Sequence, residues 1–419
     1  SQIEGETTAS KGFVIYEGDV DWSTILVGDD DSNATTNTET EEAVAEKTNE
    51  ESEPIQQDIK NDNKVEENIE NVESYDNNGE DAIADDTTTD GTDTTDETET
   101  TVTQQDINIF NLQKSRNQYV WVPVDDTSRI YGVDSNGKIW GKLYNFSSAG
   151  RKALNWTENN AIMSITNRNT NYREPDVLWG TGNYAYDTDG YSYMHRDGIG
   201  ETRYEMLAQE LEENYYEIMT SIKKYGGFYI GRYETGGLNG TTVVRKMDTN
   251  IGNNTWYAMY KKCLTLKGNN DNIKTSMILG SLWDETIEWL VKSGATNSEG
   301  TTLTYQLVGS DSTTWGNYQN ATFKYIAQNS EKPEATENKN ANSSIIIPTG
   351  SAEYTKANNI YDMAGNVRDW TTEAYFTYYM GFRGGYYGNS GYYDPAAYRS
   401  NNYLDNSSSD VRLSHSTLC

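Results

Sequence analysis

The sequence predicts an α+β fold preceded by a disordered acidic segment, and three observations carry that prediction. Charge is concentrated at one end. Residues 1–100 hold 31 acids and 4 bases, a net of −27, so only −5 of the total −32 falls on the other 319 residues. Beyond residue 106, two stretches show helical spacing of apolar residues. The remaining runs are short, alternating and separated by Gly-rich turns, a mixture that fits α+β better than a parallel α/β sheet. The near-neutral body argues against nucleic acid as main partner. Cys263 and Cys419 are too few for a disulfide framework or a CxxC clip, and His195 and His415 are too few for a multi-histidine metal centre. No apolar run approaches the roughly 20 residues of a membrane span. The chain begins at Ser1, which suggests a removed leader or anchor, or an excised piece.

The elements follow in order. Residues 1–28 form a short N-terminal segment whose apolar runs, Phe13–Tyr16 and Trp22–Val27, predict a small hairpin or a docking strand. Residues 29–105 are dominated by Asp, Glu, Thr, Asn and Ser, with TTTDGTDTTDETETTVT as the purest part. Such a stretch cannot offset the entropy of ordering, about 1–2 kcal/mol per residue for backbone alone. It is expected to be an extended, self-repelling spacer: a stalk or a plain solubilising linker.

Residues 106–419 are expected to form the folded domain. YVWVPVDD, Tyr119–Asp126, reads as a strand. GVDSNGKIWGKLYNF reads as a hairpin turning at Asn136-Gly137. In ETRYEMLAQELEENYYEIMTSIKKYGG, the residues Met206, Leu207, Leu211, Tyr215, Ile218, Met219 and Ile222 recur at helical spacing, and Gly226 follows the end. GGFYIGRYETGG is a second strand. SLWDETIEWLVKSG predicts a second helix with Ser281 as cap, Asp284 completing a capping box, Gly294 ending it, and Trp283, Ile287, Leu290 and Val291 on its buried face. Residues 328–345 read as a polar loop, and the last seventy residues as short strands and long turns.

GGFYIGRYETGG, SMILGSLWDETIEWL and NNIYDMAGNVRDWTTEA, followed by FRGG, stand in this order. Together they resemble the formylglycine-generating enzyme, or sulfatase-modifying factor, family, over roughly Tyr119 to Leu413. The resemblance implies a C-type-lectin-like fold. Where the family shows Trp-Glu-Trp, this chain has Arg368-Asp369-Trp370. Gly365 and Asn366 suit a tight turn with positive φ, and Trp370 would anchor the next strand. The resemblance further implies a calcium ion held by the side chains of Asp362 and Asp369 and the carbonyls of Gly365 and Val367, hard oxygen donors that suit that ion. The family's oxygenases bind copper through a late cysteine pair. Here only Cys419 is late, and Cys263, in KKCLTL, reads as a buried small hydrophobe. Neither copper nor iron is therefore expected, and no enzyme activity.

The stretch Arg383 to Arg412, RGGYYGNSGYYDPAAYRSNNYLDNSSSDVR, has six Tyr, five Ser, four Asn and three Asp, but no Lys, Glu, Gln, Met or Trp. Tyr offers stiff amphipathic area while Ser and Asn offer adaptable hydrogen bonds, as in an antibody paratope. An AAC or AAT codon whose adenines become any base can never encode the five missing residues. The pattern resembles the variable proteins of diversity-generating retroelements, which use the same lectin-like fold. On that reading Tyr386, Tyr387, Asn389, Ser390, Tyr392, Tyr393, Asp394, Ser400, Asn401, Asn402, Tyr403, Asp405 and Asn406 contact a ligand, while Ala397 and Arg399 point inward or pair with neighbours. The partner would be a protein or glycan on another cell or particle, and the location extracellular, a cell surface or a phage particle, with anchoring or assembly through the N-terminus. The competing readings are a structural surface or fibre subunit with a fixed lectin-like domain and, behind it, a metal-dependent oxidase.

Overall fold

The computed structural model describes residues 1–27, 101–154, 172–175, 200–238, 241–248, 255–376, 379–403, 411–412 and 416–418. Ser1–Asp29 and Val102–Cys419 form one compact unit. In chain order its elements are strand β1 (Val14–Tyr16), helices α1 (Trp22–Ile25) and α2 (Gln104–Ser115), and strands β2 (Gln118–Pro123), β3 (Tyr131–Val133), β4 (Ile139–Gly141), β5 (Tyr144–Ser147) and β6 (Gly150–Ala153). Helix α3 (Gly200–Tyr225) follows, then β7 (Gly227–Gly231), β8 (Gly236–Leu238), β9 (Thr241–Val243), α4 (Trp256–Leu264), β10 (Thr275–Met277), α5 (Gly280–Lys292) and α6 (Tyr305–Ser310). The remainder is β11 (Phe323–Ile326), β12 (Thr336–Lys339), β13 (Arg368–Phe376), β14 (Tyr379–Arg383), β15 (Arg399–Tyr403), β16 (Val411–Arg412) and β17 (Ser416–Leu418). Helices and small, mostly antiparallel sheets are mixed along the chain, which is the expected α+β organisation.

Two sheets set the frame. The first has the order β1-β2-β7-β17-β10 and is antiparallel throughout. The second has the order β15-β14-β13-β16. The N-terminal apolar run is therefore a docking strand: Val14 pairs with Val120 and Tyr16 with Gln118. The second N-terminal run makes the short helix α1. A buried ion pair fastens the segment, with Arg232 Nη1 donating to Glu6 Oε1 at 2.5 Å. Helix α1 lies against α2, where Asn108 Nδ2 donates to the Thr24 carbonyl at 3.2 Å. Residues 1–27 and helix α2 thus belong to the same compact unit.

The main core forms where α3 lays Tyr215, Ile218, Met219 and Ile222 against Val120, Val122, Phe228 and Ile230 of β2 and β7, with Leu282, Trp283, Ile287 and Leu290 of α5 alongside. Each such side chain contributes roughly 1.5–3 kcal/mol when fully buried. Leu207 and Leu211 join a second cluster with Trp256, Cys263, Met277, Trp370 and Phe382, and the Met206 side chain lies outside the described residues. Gly226 and Gly294 end α3 and α5 with φ of 78° and 66°. The Asn136-Gly137 hairpin joins β3 to β4 as the sequence predicts. Strand β17 inserts between β7 and β10 and closes the first sheet.

Three sequence expectations are corrected. Residues 328–345 are not only loop, because β12 pairs with β11 from Phe323↔Lys339 to Ile326↔Thr336. The capping box of α5 does not form. Instead the Glu174 carboxylate accepts from the amides of Gly280 at 2.6 Å and Ser281 at 2.9 Å, so a remote acid serves the helix start. Helix α5 is also not half-exposed: every residue from Gly280 to Leu290 is buried, including Asp284, Glu285 and Glu288. Asp284 and Glu285 face arginines supplied by surrounding elements, among them Arg129 and Arg151 on Glu285, while Glu288 pairs with Lys292 of the same helix.

Candidate functional site

The motif turn at residues 362–370 takes the conformation its residues allow. Asp362, Gly365 and Asn366 have φ of 60°, 71° and 54°. A Cβ at Gly365 would collide with the Asn317 backbone, so this position requires glycine. Asn366 Nδ2 donates to Glu234 Oε2 at 2.7 Å, and its Oδ1 accepts from Ile347 N at 3.1 Å. Trp370 is fully buried and meets Phe382 edge-on at 5.9 Å. Asp362 and Asp369 are both buried. Burial, and then the charge of Asp362, push the Asp369 carboxyl well above the usual carboxylate range. Asp362 accepts from Thr349 Oγ1 at 2.9 Å, Gly350 N at 2.7 Å and Thr355 Oγ1 at 2.6 Å.

The Tyr-rich stretch starts at the end of β14. Strands β14 and β15 pair with Arg383 opposite Arg399, and the segment 384–398 connects them as one long loop. Both arginines are turned into the core. Arg383 reaches Asp284 Oδ1 and lies 3.6 Å from Glu373 Oε1. Arg399 reaches Asp284 Oδ2 at 3.1 Å and Glu373 Oε2 at 2.7 Å. Two cations and two anions, all 4% exposed or less, thus close the base of the loop and join it to α5 and β13. Burial and the neighbouring Arg399 pull the Arg383 pKa down, opposed by Asp284 and Glu373. Arg399 pairs as the sequence predicts, and Ala397 packs on the core. Arg383 likewise belongs to the framework.

The loop itself is fastened to residues 308–320. Its Gly391 carbonyl accepts from Ser312 N at 3.0 Å, its Asn389 carbonyl from Gln319 N at 2.8 Å, and Ala397 N donates to the Val308 carbonyl at 2.9 Å. The fold on the other side of that segment is held by Lys339. Its buried ammonium donates to the carbonyls of Tyr318 (2.5 Å), Ala321 (2.8 Å), Gln319 (3.1 Å) and Asn340 (3.3 Å).

On this fixed path the side chains divide. Tyr392 and Tyr393 stand out, 65% and 69% exposed, as an edge-on pair with centroids 5.4 Å apart. Tyr386, Tyr387, Asn389 and Ser390 are half-buried at the surface beside them. Tyr386 lies over the Arg368 guanidinium, 3.9 Å from ring centroid to Cζ. Ser400, Asn401, Asn402 and Tyr403 line β15, all half-buried. Asn401 Nδ2 donates to Tyr172 Oη at 2.9 Å, and Tyr403 stacks at 4.3 Å on Tyr379 with their hydroxyls 2.5 Å apart. Asp394 departs from the set: it is buried and takes Arg368 Nη2 at 3.0 Å, so its charge serves the framework. Asp405 and Asn406 lie outside the described residues, as does His195. Sequence reasoning misses Glu373 and Lys339, and it misses the part that Arg368 and Asp284 play beside them in holding the face in shape. No local spacing marks them, because each acts across a long sequence separation or through backbone carbonyls. Cys263 is buried, and burial pushes its thiol pKa up.

No family model matches the chain, and no curated protein matches it. Solved structures similar to it include the structure of PvdO from Pseudomonas aeruginosa, at 12% identity and a TM-score of 0.27, with 46% of this chain and 80% of that chain covered. They also include Treponema denticola variable protein 1, at 13% identity and a TM-score of 0.24, with 46% and 95% covered. Similarity this low leaves the fold to rest on the elements described above.

Proposed function

We propose that the protein is a non-catalytic ligand-binding protein. On this reading a C-type-lectin-like scaffold presents a Tyr/Asn/Ser face that is diversified by a retroelement. The observation that carries it is the division of labour in residues 383–403. The main chain is held by a buried two-arginine, two-acid cluster and by backbone hydrogen bonds, while Tyr392 and Tyr393 project from it and Tyr386, Tyr387, Asn389 and Ser390 lie half-buried at the surface beside them. Such a frame tolerates exchange of the projecting residues, since substitutions away from packed features usually cost within about 0.5 kcal/mol. The missing Lys, Glu, Gln, Met and Trp support the same reading. The ligand is a protein or glycan on another cell or particle, met outside the cell or from a phage particle. The test is the DNA encoding residues 383–412. The expected result is AAC or AAT at the variable codons and a near-identical repeat beside a reverse-transcriptase gene. Mixed third positions without such a repeat would move a structural subunit with a fixed domain to the front.

Calcium at the motif turn is the second part of the proposal. Asp369 and the carbonyls of Gly365 and Val367 are its remaining candidate donors, with Asp362 largely committed to Thr349, Gly350 and Thr355. A structural ion stabilises by mass action. Millimolar calcium is then expected to raise the thermal midpoint and chelator to lower it, with Asp369→Asn abolishing the difference. An unchanged midpoint in calcium and in chelator identifies a metal-free turn.

A further inference from the structure

We propose that the outer edge of β15 is a strand-addition site, where an extended peptide segment of a partner protein pairs with residues 399–403. This rests on the ligand-binding reading above and narrows its partner to a protein.

The second sheet fixes which backbone groups face that edge. In an antiparallel ladder, opposed residues alternate between pairs that exchange both hydrogen bonds and pairs that exchange none. Ala374 of β13 gives its amide and its carbonyl to Arg173, at 2.7 and 2.8 Å. Met380 stands opposite Ala374, so its own amide and carbonyl turn the other way, toward Asn402 of β15. The next pair, Gly381 with Asn401, then falls in the opposite phase, as do Tyr379 with Tyr403 and Arg383 with Arg399. Tyr403 agrees with this phase, since its amide donates to Asn402 Oδ1 at 2.9 Å. Arg399, Asn401 and Tyr403 therefore turn their main-chain groups away from β14. Those of Arg399 and Asn401 meet no partner among the described residues.

Strand β15 ends the sheet on that side. Elsewhere the chain closes its own borders: Val14 N of β1 donates to the Glu6 carbonyl at 2.9 Å, and Arg173 covers β13 at Ala374. Sheet edges are commonly guarded by Lys, Pro or a bulge. Strand β15, RSNNY, has neither Lys nor Pro, and its register with β14 runs unbroken from Arg399 to Tyr403.

The pattern of these groups selects the occupant. An N–H and a C=O recur on alternate residues, about 7 Å apart along the strand. Another extended backbone carries donor and acceptor at the same repeat. The arrangement also suits a diversified face. Main-chain bonds form whatever side chains occupy residues 400–403, so they supply affinity common to every version. The side chains of Ser400, Asn401, Asn402 and Tyr403 then select among peptides.

The test selects binders of the full chain from a displayed library of random peptides and measures the best of them by calorimetry. Asn401→Pro removes an outward N–H without touching the ladder to β14, a place where an edge strand accepts proline. It is expected to bind about tenfold more weakly than Asn401→Ala, the worth of one hydrogen bond, with the same urea midpoint. N-methylation of alternate peptide amides should abolish binding in one phase and spare it in the other. That arm changes nothing in the protein, so it decides the matter even where the proline variant does not fold. Equal binding by the proline and alanine variants, or indifference to the methylation phase, would overturn strand addition and leave the Tyr-rich face as a binding surface. A library without binders would overturn it, and so would a dimer in solution that Asn401→Pro dissolves, which would make a second copy the occupant. The underlying reading stands or falls on its codons, so the two failures are distinguishable.

Discussion

Replacing Arg383 with Met should lower the stability of the protein by about 3–5 kcal/mol, the usual cost of removing one partner from a buried ion pair. The reason is local and electrostatic. Asp284 and Glu373 are fully buried, and Arg399 would be left as the cation shared between them. Methionine fills most of the space but supplies no donor. Taking a carboxylate out of water without a partner is far more costly than losing packing at that position. Asp284 would keep the Tyr144 amide at 2.8 Å and Glu373 the Thr371 hydroxyl at 3.1 Å, which is why the loss is not larger. Urea unfolding followed by tryptophan fluorescence reads the change as a lower midpoint. A loss below about 1 kcal/mol, the scale of an exposed pair, would show that the cluster does not hold the loop.

Replacing Gly385 with Ala should be nearly as damaging, and for a steric reason. Gly385 has a φ of 75°, a region that costs an L-residue roughly 1–2 kcal/mol. Here a Cβ would also overlap the carbonyl oxygen of Asp394. That oxygen belongs to the backbone of the same loop, so it can move only if the loop moves. The expected result is a loss of about 2 kcal/mol or more, with faster amide exchange across 385–398 than in the first sheet. Unchanged exchange in the loop would mean that its path is not fixed by this turn.

The periodic elements are legible in the sequence because their burial is one-sided and local. Helix α3 buries Leu207, Leu211, Tyr215, Ile218, Met219 and Ile222, the spacing that announces it. Strands β2 and β7 alternate and are β-branched or aromatic. Helix α2 is not announced, since QQDINIFNLQKS buries only Phe110, Leu112 and Gln113 and has little amphipathic contrast. Helix α5 is announced, but its environment is not. Asp284 meets Arg383 across 99 residues and Glu285 meets Arg129 across 156, and no spacing rule spans such separations. The cap from Glu174 lies 106 residues before the amide it serves. The candidate face shows the same limit. Composition marks Tyr386–Tyr393 as one surface, yet it gives Asp394 the same standing, and only the position of Arg368 turns that carboxylate inward. A stretch of one composition can thus hold both projecting and framework residues.

The central claim is that the backbone of residues 384–403 keeps its path while its projecting side chains change. The most direct measurement is a variant carrying Tyr387→Ser, Asn389→Tyr, Tyr392→Asn, Tyr393→Ser, Ser400→Asn and Asn402→Ser, with urea unfolding and amide hydrogen exchange compared to the parent. The framework groups Arg383, Gly385, Asp394 and Arg399 are left untouched. The account predicts an unfolding midpoint close to the parent's and the same protection at the loop amides bonded to residues 308–320. Loss of cooperative unfolding, or loop amides that exchange at the rate of an unstructured chain, would contradict it.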